Sequence, residues 1–81
     1  MEEICVKFDL IHTQQVYGCE VKSKCMPSID RDSNGIILVD LARVLIGTYC
    51  TLYSIDGEKK ALNVHLFKGE QCIASWDSIE C

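Results

Sequence analysis

One proline and two histidines are present in 81 residues, and each scarcity excludes something. With Pro27 as the sole proline and no biased or repeated tract, proline-rich linkers and repeat architectures are ruled out. Histidines at 12 and 65 are too few and too far apart for the usual zinc spacings, and no cysteine pair has the C-x-x-C interval of zinc or redox motifs. Positive charge is sparse as well: the basic groups are short, Lys22 with Lys24 and Lys59 with Lys60, and the net charge is -4. General nucleic-acid binding needs a basic face, so that class falls away. G-x-S-x-G, Walker, dinucleotide and H-E-x-x-H motifs are all missing. The chain begins Met-Glu-Glu, without the basic start and apolar segment of a secretory signal. The most apolar run, after Gly35, reads as too short to span a membrane and therefore as core. No membrane association is expected.

Cysteine is abundant. Six stand at 5, 19, 25, 50, 72 and 81. An even count in a short chain invites a disulfide framework, but that inference requires a secretory context. Ile4-Cys5-Val6 and Gln71-Cys72-Ile73 place thiols in apolar strings, where cysteine behaves as a small hydrophobe. Reduced, mostly buried thiols in a cytoplasmic protein are the expectation. The length fits one domain over residues 1–81 with a modest core.

Residues 29–47, I-D-R-D-S-N-G-I-I-L-V-D-L-A-R-V-L-I-G, dominate the chain. The first reading makes 28–31 and 36–39 a hairpin turning at Asn34-Gly35. Asp40 then caps a short helix over 41–46, with Leu41, Val44 and Leu45 on one face and Gly47 as its left-handed terminator. A second reading takes Asp30, Asp32 and Asn34, with Gly35 and Ile37, as the first half of an EF-hand loop; these are the candidate metal ligands. The twelfth position, which needs a bidentate Glu, is Leu41, and no entering helix precedes the loop.

Elsewhere, Ile4, Val6, Phe8 and Leu10 alternate with polar or small residues, predicting a strand over 3–10 with one buried face. Residues 11–25 fit two patterns, a strand through Tyr17, Cys19 and Val21 or a helix weakened by Gly18. Residues 48–55 favour a strand by composition, or else extend the helix. Asp56-Gly57 and Lys68-Gly69 read as turns around a strand over 61–67, with Leu62, Val64 and Leu66 on one face and Asn63 and His65 on the other. Residues 71–79 are a last strand or a short helix, with Ile73 and Trp76 toward the core.

Candidate chemistry is thin. His12 follows the first strand at what reads as a helix start, where unsatisfied amides would favour an accepted phosphoryl group; the plainer reading is an exposed loop histidine. A cysteine nucleophile paired with either histidine has nothing in the sequence to select it. Asp30, Asp32 and Asp40 read most simply as solvated acids.

Val6-Lys7-Phe8-Asp9 as first strand, followed by Asn34-Gly35 leading into Val39-Asp40-Leu41-Ala42-Arg43-Val44-Leu45, resembles HPr, the histidine-containing phosphocarrier of the bacterial sugar phosphotransferase system. The resemblance covers about half the chain. It implies a β-α-β-β-α-β-α open sandwich, a helix over 13–25 and His12 as the phosphoacceptor. The family's G-L-H-[AT]-R-P-A context is here Leu10-Ile11-His12-Thr13-Gln14-Gln15, without the Arg and Pro, and its regulatory serine falls near Ala42 or Arg43. The resemblance therefore implies a divergent member that has lost phosphotransfer and kept a binding surface.

The sequence thus predicts an α+β domain, a small open sandwich in which an antiparallel sheet of four to five strands carries one to three short helices on one face. The expected function is a small non-enzymatic cytosolic module that binds and regulates a protein partner, without a cofactor. The alternatives are an active phosphocarrier using His12, a calcium-binding domain with the half loop, and a small acidic inhibitor of a larger partner.

Overall fold

Alternation dictates the first element. In the computed structural model, which describes residues 3–24, 29 and 32–80, strand β1 runs Glu3–His12 and buries Ile4, Val6, Phe8 and Leu10 on one face. Strand β2, Gln15–Lys24, pairs antiparallel with it in a register that sets Cys19 opposite Phe8 and Val21 opposite Val6. Cys19 and Val21 therefore extend the same apolar face. Of the two patterns open for 11–25, the strand is the one formed. The helix that the phosphocarrier resemblance implies over 13–25 is not present, because alternation lets β2 pair along the whole of β1.

Thr13 and Gln14 make the tight turn between β1 and β2 with φ of 52° and 64°. Both central residues of a type I′ hairpin loop need positive φ, a geometry normally given to Asn and Gly. Left-handed backbone costs an L-residue about 1–2 kcal/mol, and a β-branched threonine is least suited to it. The sequence carried no turn signal here, so the hairpin was legible only from the alternation on its two sides.

The stretch after residue 32 forms one long helix instead of a hairpin and a short helix. Helix α1 spans Gly35–Leu52. Asn34 Oδ1 accepts a hydrogen bond from the Ile36 amide at 2.8 Å, so Asn34 is the N-cap and not the corner of a strand turn. Asp40 is no cap; it lies exposed in the second turn and pairs with Arg43 at 3.1 Å. Ile29 is buried outside any strand, and residues 28, 30 and 31 of the expected first strand lie outside the described residues. The buried set Leu38, Ala42, Leu45, Ile46 and Cys50 has helical spacing. Ile36, Ile37, Leu38 and Val39 are apolar on every side of the helix, and that hides the period.

Gly47 does not end α1. Ser54 does, with φ of 53°. The Ile55 amide reaches the Cys50 carbonyl at 2.8 Å and the Ser54 amide the Thr51 carbonyl at 3.2 Å, the paired bonds of a Schellman motif. Residues 48–52, which composition favoured as strand, are helical. Propensity differences of a few tenths of a kcal/mol per residue yield to burial of Cys50 and packing of Tyr49 on the core.

Gly57, at φ 88°, turns the chain into β3, Lys59–Lys68, and Gly69 turns it again into β4, Gln71–Glu80. The Gly69 amide donates to the Glu3 carbonyl at 2.8 Å, tying this turn to the start of β1. β3 departs from simple alternation. Asn63 adopts φ 51°, and the pairing with β1 slips between Lys7 and Asp9. This bulge moves Ala61, not Leu62, into the same buried set as Val64 and Leu66. In β4, Ile73 and Ile79 are buried, and half-buried Trp76 packs on the core opposite Val64.

The sheet order is β2-β1-β3-β4, antiparallel throughout, with α1 lying across one face. The architecture is α+β: four strands and one helix among the described residues. The core is the single apolar layer between helix and sheet.

Candidate functional site

His12 is the last residue of β1, half-buried, and stands between Gln15 on β2 and Lys59 on β3. Its Nε2–H donates to the Asp56 carbonyl at 2.6 Å, linking the β1–β2 turn to the segment entering β3. Around it opens a cleft of about 680 Å³, with Thr13, Asp56, Glu58, Lys60 and Glu80 among its walls. The charges are mixed and the cleft is wide. The helix start that motivated phosphoryl transfer is absent here, since His12 precedes a β-turn and α1 begins at Gly35. The geometry gives His12 a role it can be seen to play, pinning two loops together.

Of the EF-hand half loop, Asp30 lies outside the described residues, Asp32 is exposed, and the Asn34 side-chain oxygen is engaged by the Ile36 amide. Among the described residues no three His, Cys, Asp or Glu side chains converge as metal ligands.

The thiols are mostly interior. Cys5, Cys19 and Cys50 are buried and Cys72 is exposed. Burial, reinforced by Glu20 nearby, raises the Cys5 pKa, which opposes thiolate chemistry. Tyr49 has its hydroxyl pushed up to about 12 by a hydrogen bond with Cys19 and by burial. Its ring meets Phe8 edge-on and stacks obliquely on Tyr53. Tyr49 thus ties the C-terminal half of α1 to β1 and β2.

The sheet's second face, away from α1, is polar with apolar inserts. Asn63 Nδ2 donates to Asp9 at 3.1 Å across β1 and β3, and the Lys7 ammonium lies 5.2 Å from the Phe67 ring centre. Pairs of this kind suit a sheet face left open to water.

The outer face of α1 is different. Ile36, Ile37, Val44 and Leu52 are 69%, 54%, 64% and 73% exposed. Helical spacing gathers them with Asp40, Gly47, Thr48 and Thr51 on the side opposite the sheet. Four large apolar side chains on one solvent face are more than isolated surface hydrophobes. The sequence reading missed this surface. The hairpin reading puts Ile36 and Ile37 in a strand and Val44 on the inward helix face, and the apolar run by itself reads as too short for a membrane. At 18 residues and a mean hydropathy of 1.7, α1 is long and apolar enough to cross one by length and composition. The signal lay in residues 36, 37, 44 and 52 falling outside the set 38, 42, 45, 46 and 50 that one helical face can bury.

No family model, no curated protein and no solved structure matches the chain.

Proposed function

We propose that the protein is a non-enzymatic cytosolic module that regulates a protein partner by binding it through the solvent face of α1. The observation that carries the reading is the exposure of Ile36, Ile37, Val44 and Leu52 together on a helix whose opposite side already fills the core. Covering such a face removes apolar area from water at about 25 cal/mol per Å², a gain the fold itself leaves unused. Buried thiols at 5, 19 and 50 and an exposed one at 72 support a reducing compartment.

The test is site-specific photo-crosslinking in cells. A photoreactive residue at position 44 is compared with one at Ser75, which is exposed and pairs with His65 on the other side of the sheet. Covalent protein adducts from position 44 above the Ser75 background are expected. Equal backgrounds at both positions would end the reading.

A further inference from the structure

We infer that the partner of this face is a second copy of the chain, bound with the two α1 helices antiparallel about a twofold axis through Val44. This deepens the proposed function and rests on it.

The face is complementary to itself only in that orientation. Val44 stands midway between Ile37 and Thr51, seven residues to either side, and the three lie within about 20° of one line along the helix, so an antiparallel copy centred there sets Val44 against Val44 and Ile37 against Thr51. On the two flanks of that line the same symmetry brings Asp40 to Gly47 and Leu41 to Thr48, with Ile36 and Leu52 at the rims. Large residues thus meet small ones along the seam. A twofold contact requires that one patch serve both partners, and this patch does. A parallel arrangement would stack like on like and leave the small residues facing each other.

Gly47 argues the same way. A glycine inside a helix costs about 1 kcal/mol relative to alanine. A Cβ at Gly47 would meet nothing within 4 Å, so the chain's own packing does not require it. In the antiparallel pair it lets the Asp40 flank of the other helix approach.

Charge is compatible. Each copy carries -4 overall, yet the face holds one acid and one base already paired, Asp40 with Arg43 at 3.1 Å. No like charges meet across the axis, and a strongly charged partner finds no counterpart there. The area is also adequate. The four apolar side chains expose on the order of 500 Å², and the residues between them bring the face near the ~800 Å² that each partner brings to a standard interface.

The experiment is sedimentation velocity on the purified full chain from micromolar to submillimolar concentration, with V44E, V44K and an equimolar mixture of the two. Circular dichroism confirms that each variant is folded, and Val44→Ser replaces either one that is not. The expected result is a concentration-dependent dimer for the native chain, monomers for V44E and V44K alone, and a dimer recovered on mixing. Recovery is specific to a contact in which residue 44 meets its own copy. A native chain that stays monomeric throughout overturns the second copy; if position 44 still crosslinks another protein in cells, the proposed function stands without it. A dimer that persists in V44E and V44K lies elsewhere, such as at a sheet edge, and also overturns the inference. Co-flotation of a monomeric native chain with anionic or neutral vesicles, lost in V44E, assigns the face to lipid and overturns both.

Discussion

The Tyr49 ring stands edge-on to Phe8, with centroids 5.6 Å apart and planes at 85°, where α1 crosses the central strand β1. T-shaped aromatic pairs add about 0.5–1.5 kcal/mol beyond the area they bury. Phe8 is 3% exposed, so Phe8→Ala is expected to lose about 3–5 kcal/mol. For a domain of this size that lowers Tm by well over 10 °C, at about 4–8 °C per kcal/mol. A thermal melt reads it directly, and a shift of only a few degrees would mean the contact does not anchor the helix.

Tyr49 also sets an alkaline limit. Its hydroxyl titrates near 12 in the fold, raised by the Cys19 hydrogen bond and by burial from an ordinary 10.0. Between these values the unfolded chain loses a proton that the folded chain keeps, so this contribution is complete below pH 10 and is lost as pH rises toward 12. Tyr49→Phe cannot titrate. Denaturation midpoints measured from pH 8 upward are expected to fall less steeply above pH 10 in the variant than in the native chain.

The start of α1 discriminates between two caps. Asn34→Ala removes the acceptor for the Ile36 amide and is expected to cost about 1 kcal/mol. Asp40→Ala loses only an exposed pair with Arg43 and is expected to change stability by less than about 0.5 kcal/mol. Urea titration of both variants settles the order; a larger loss at Asp40 would restore a helix beginning after residue 40.

Two turns hold L-residues where glycine or asparagine fits better. Ser54→Gly at φ 53° and the paired change Thr13→Asn with Gln14→Gly at φ 52° and 64° are each expected to stabilise the fold by about 1 kcal/mol. Raised denaturation midpoints with unchanged m-values are the check. Loss of stability at the hairpin would mean that the Thr13 hydroxyl, which donates to the His12 carbonyl at 2.7 Å, contributes more than the left-handed backbone costs.

Thiol accessibility gives a further readout. Among the described cysteines, Cys72 is expected to react first with a thiol reagent under native conditions. Cys5, buried and with its pKa raised, is expected to be protected until the chain unfolds. Peptide-level mass mapping over time distinguishes them.

Sequence reached furthest where one periodicity was unmixed. Ile4, Val6, Phe8 and Leu10 alternate cleanly and became β1; Asp56-Gly57 and Lys68-Gly69 announced turns with glycines that adopt positive φ. It fell short where a residue's usual meaning was displaced. Asn34-Gly35 looked like a strand turn because asparagine serves equally as hairpin corner and helix cap. Gly47 looked like a helix terminator because nothing in the sequence says that Ser54 takes that position. Thr13 and Gln14 lacked turn chemistry altogether, which left 11–25 ambiguous and made a helix after His12 admissible. Leu62 was turned from the core by one extra residue at Asn63, a slip that alternation cannot foresee. The solvent face of α1 was hidden by the same apolar richness that marked the segment as core.

Strand β1 sits at the centre of the sheet, yet its second neighbour arrives late: Ile4 pairs with Lys68 and His12 with Lys59. A chain leaving the ribosome can close the β1–β2 hairpin early, but the other edge of β1 stays bare until β3 has emerged. Until then an apolar strand with unpaired amides is open to other nascent chains. Closure across so many residues must also be met by loop entropy before it is rewarded, which places folding among the slower small domains. The vulnerable interval is thus set by the length of chain between His12 and Lys59, and α1, forming locally inside that interval, is the element able to cover the strand first.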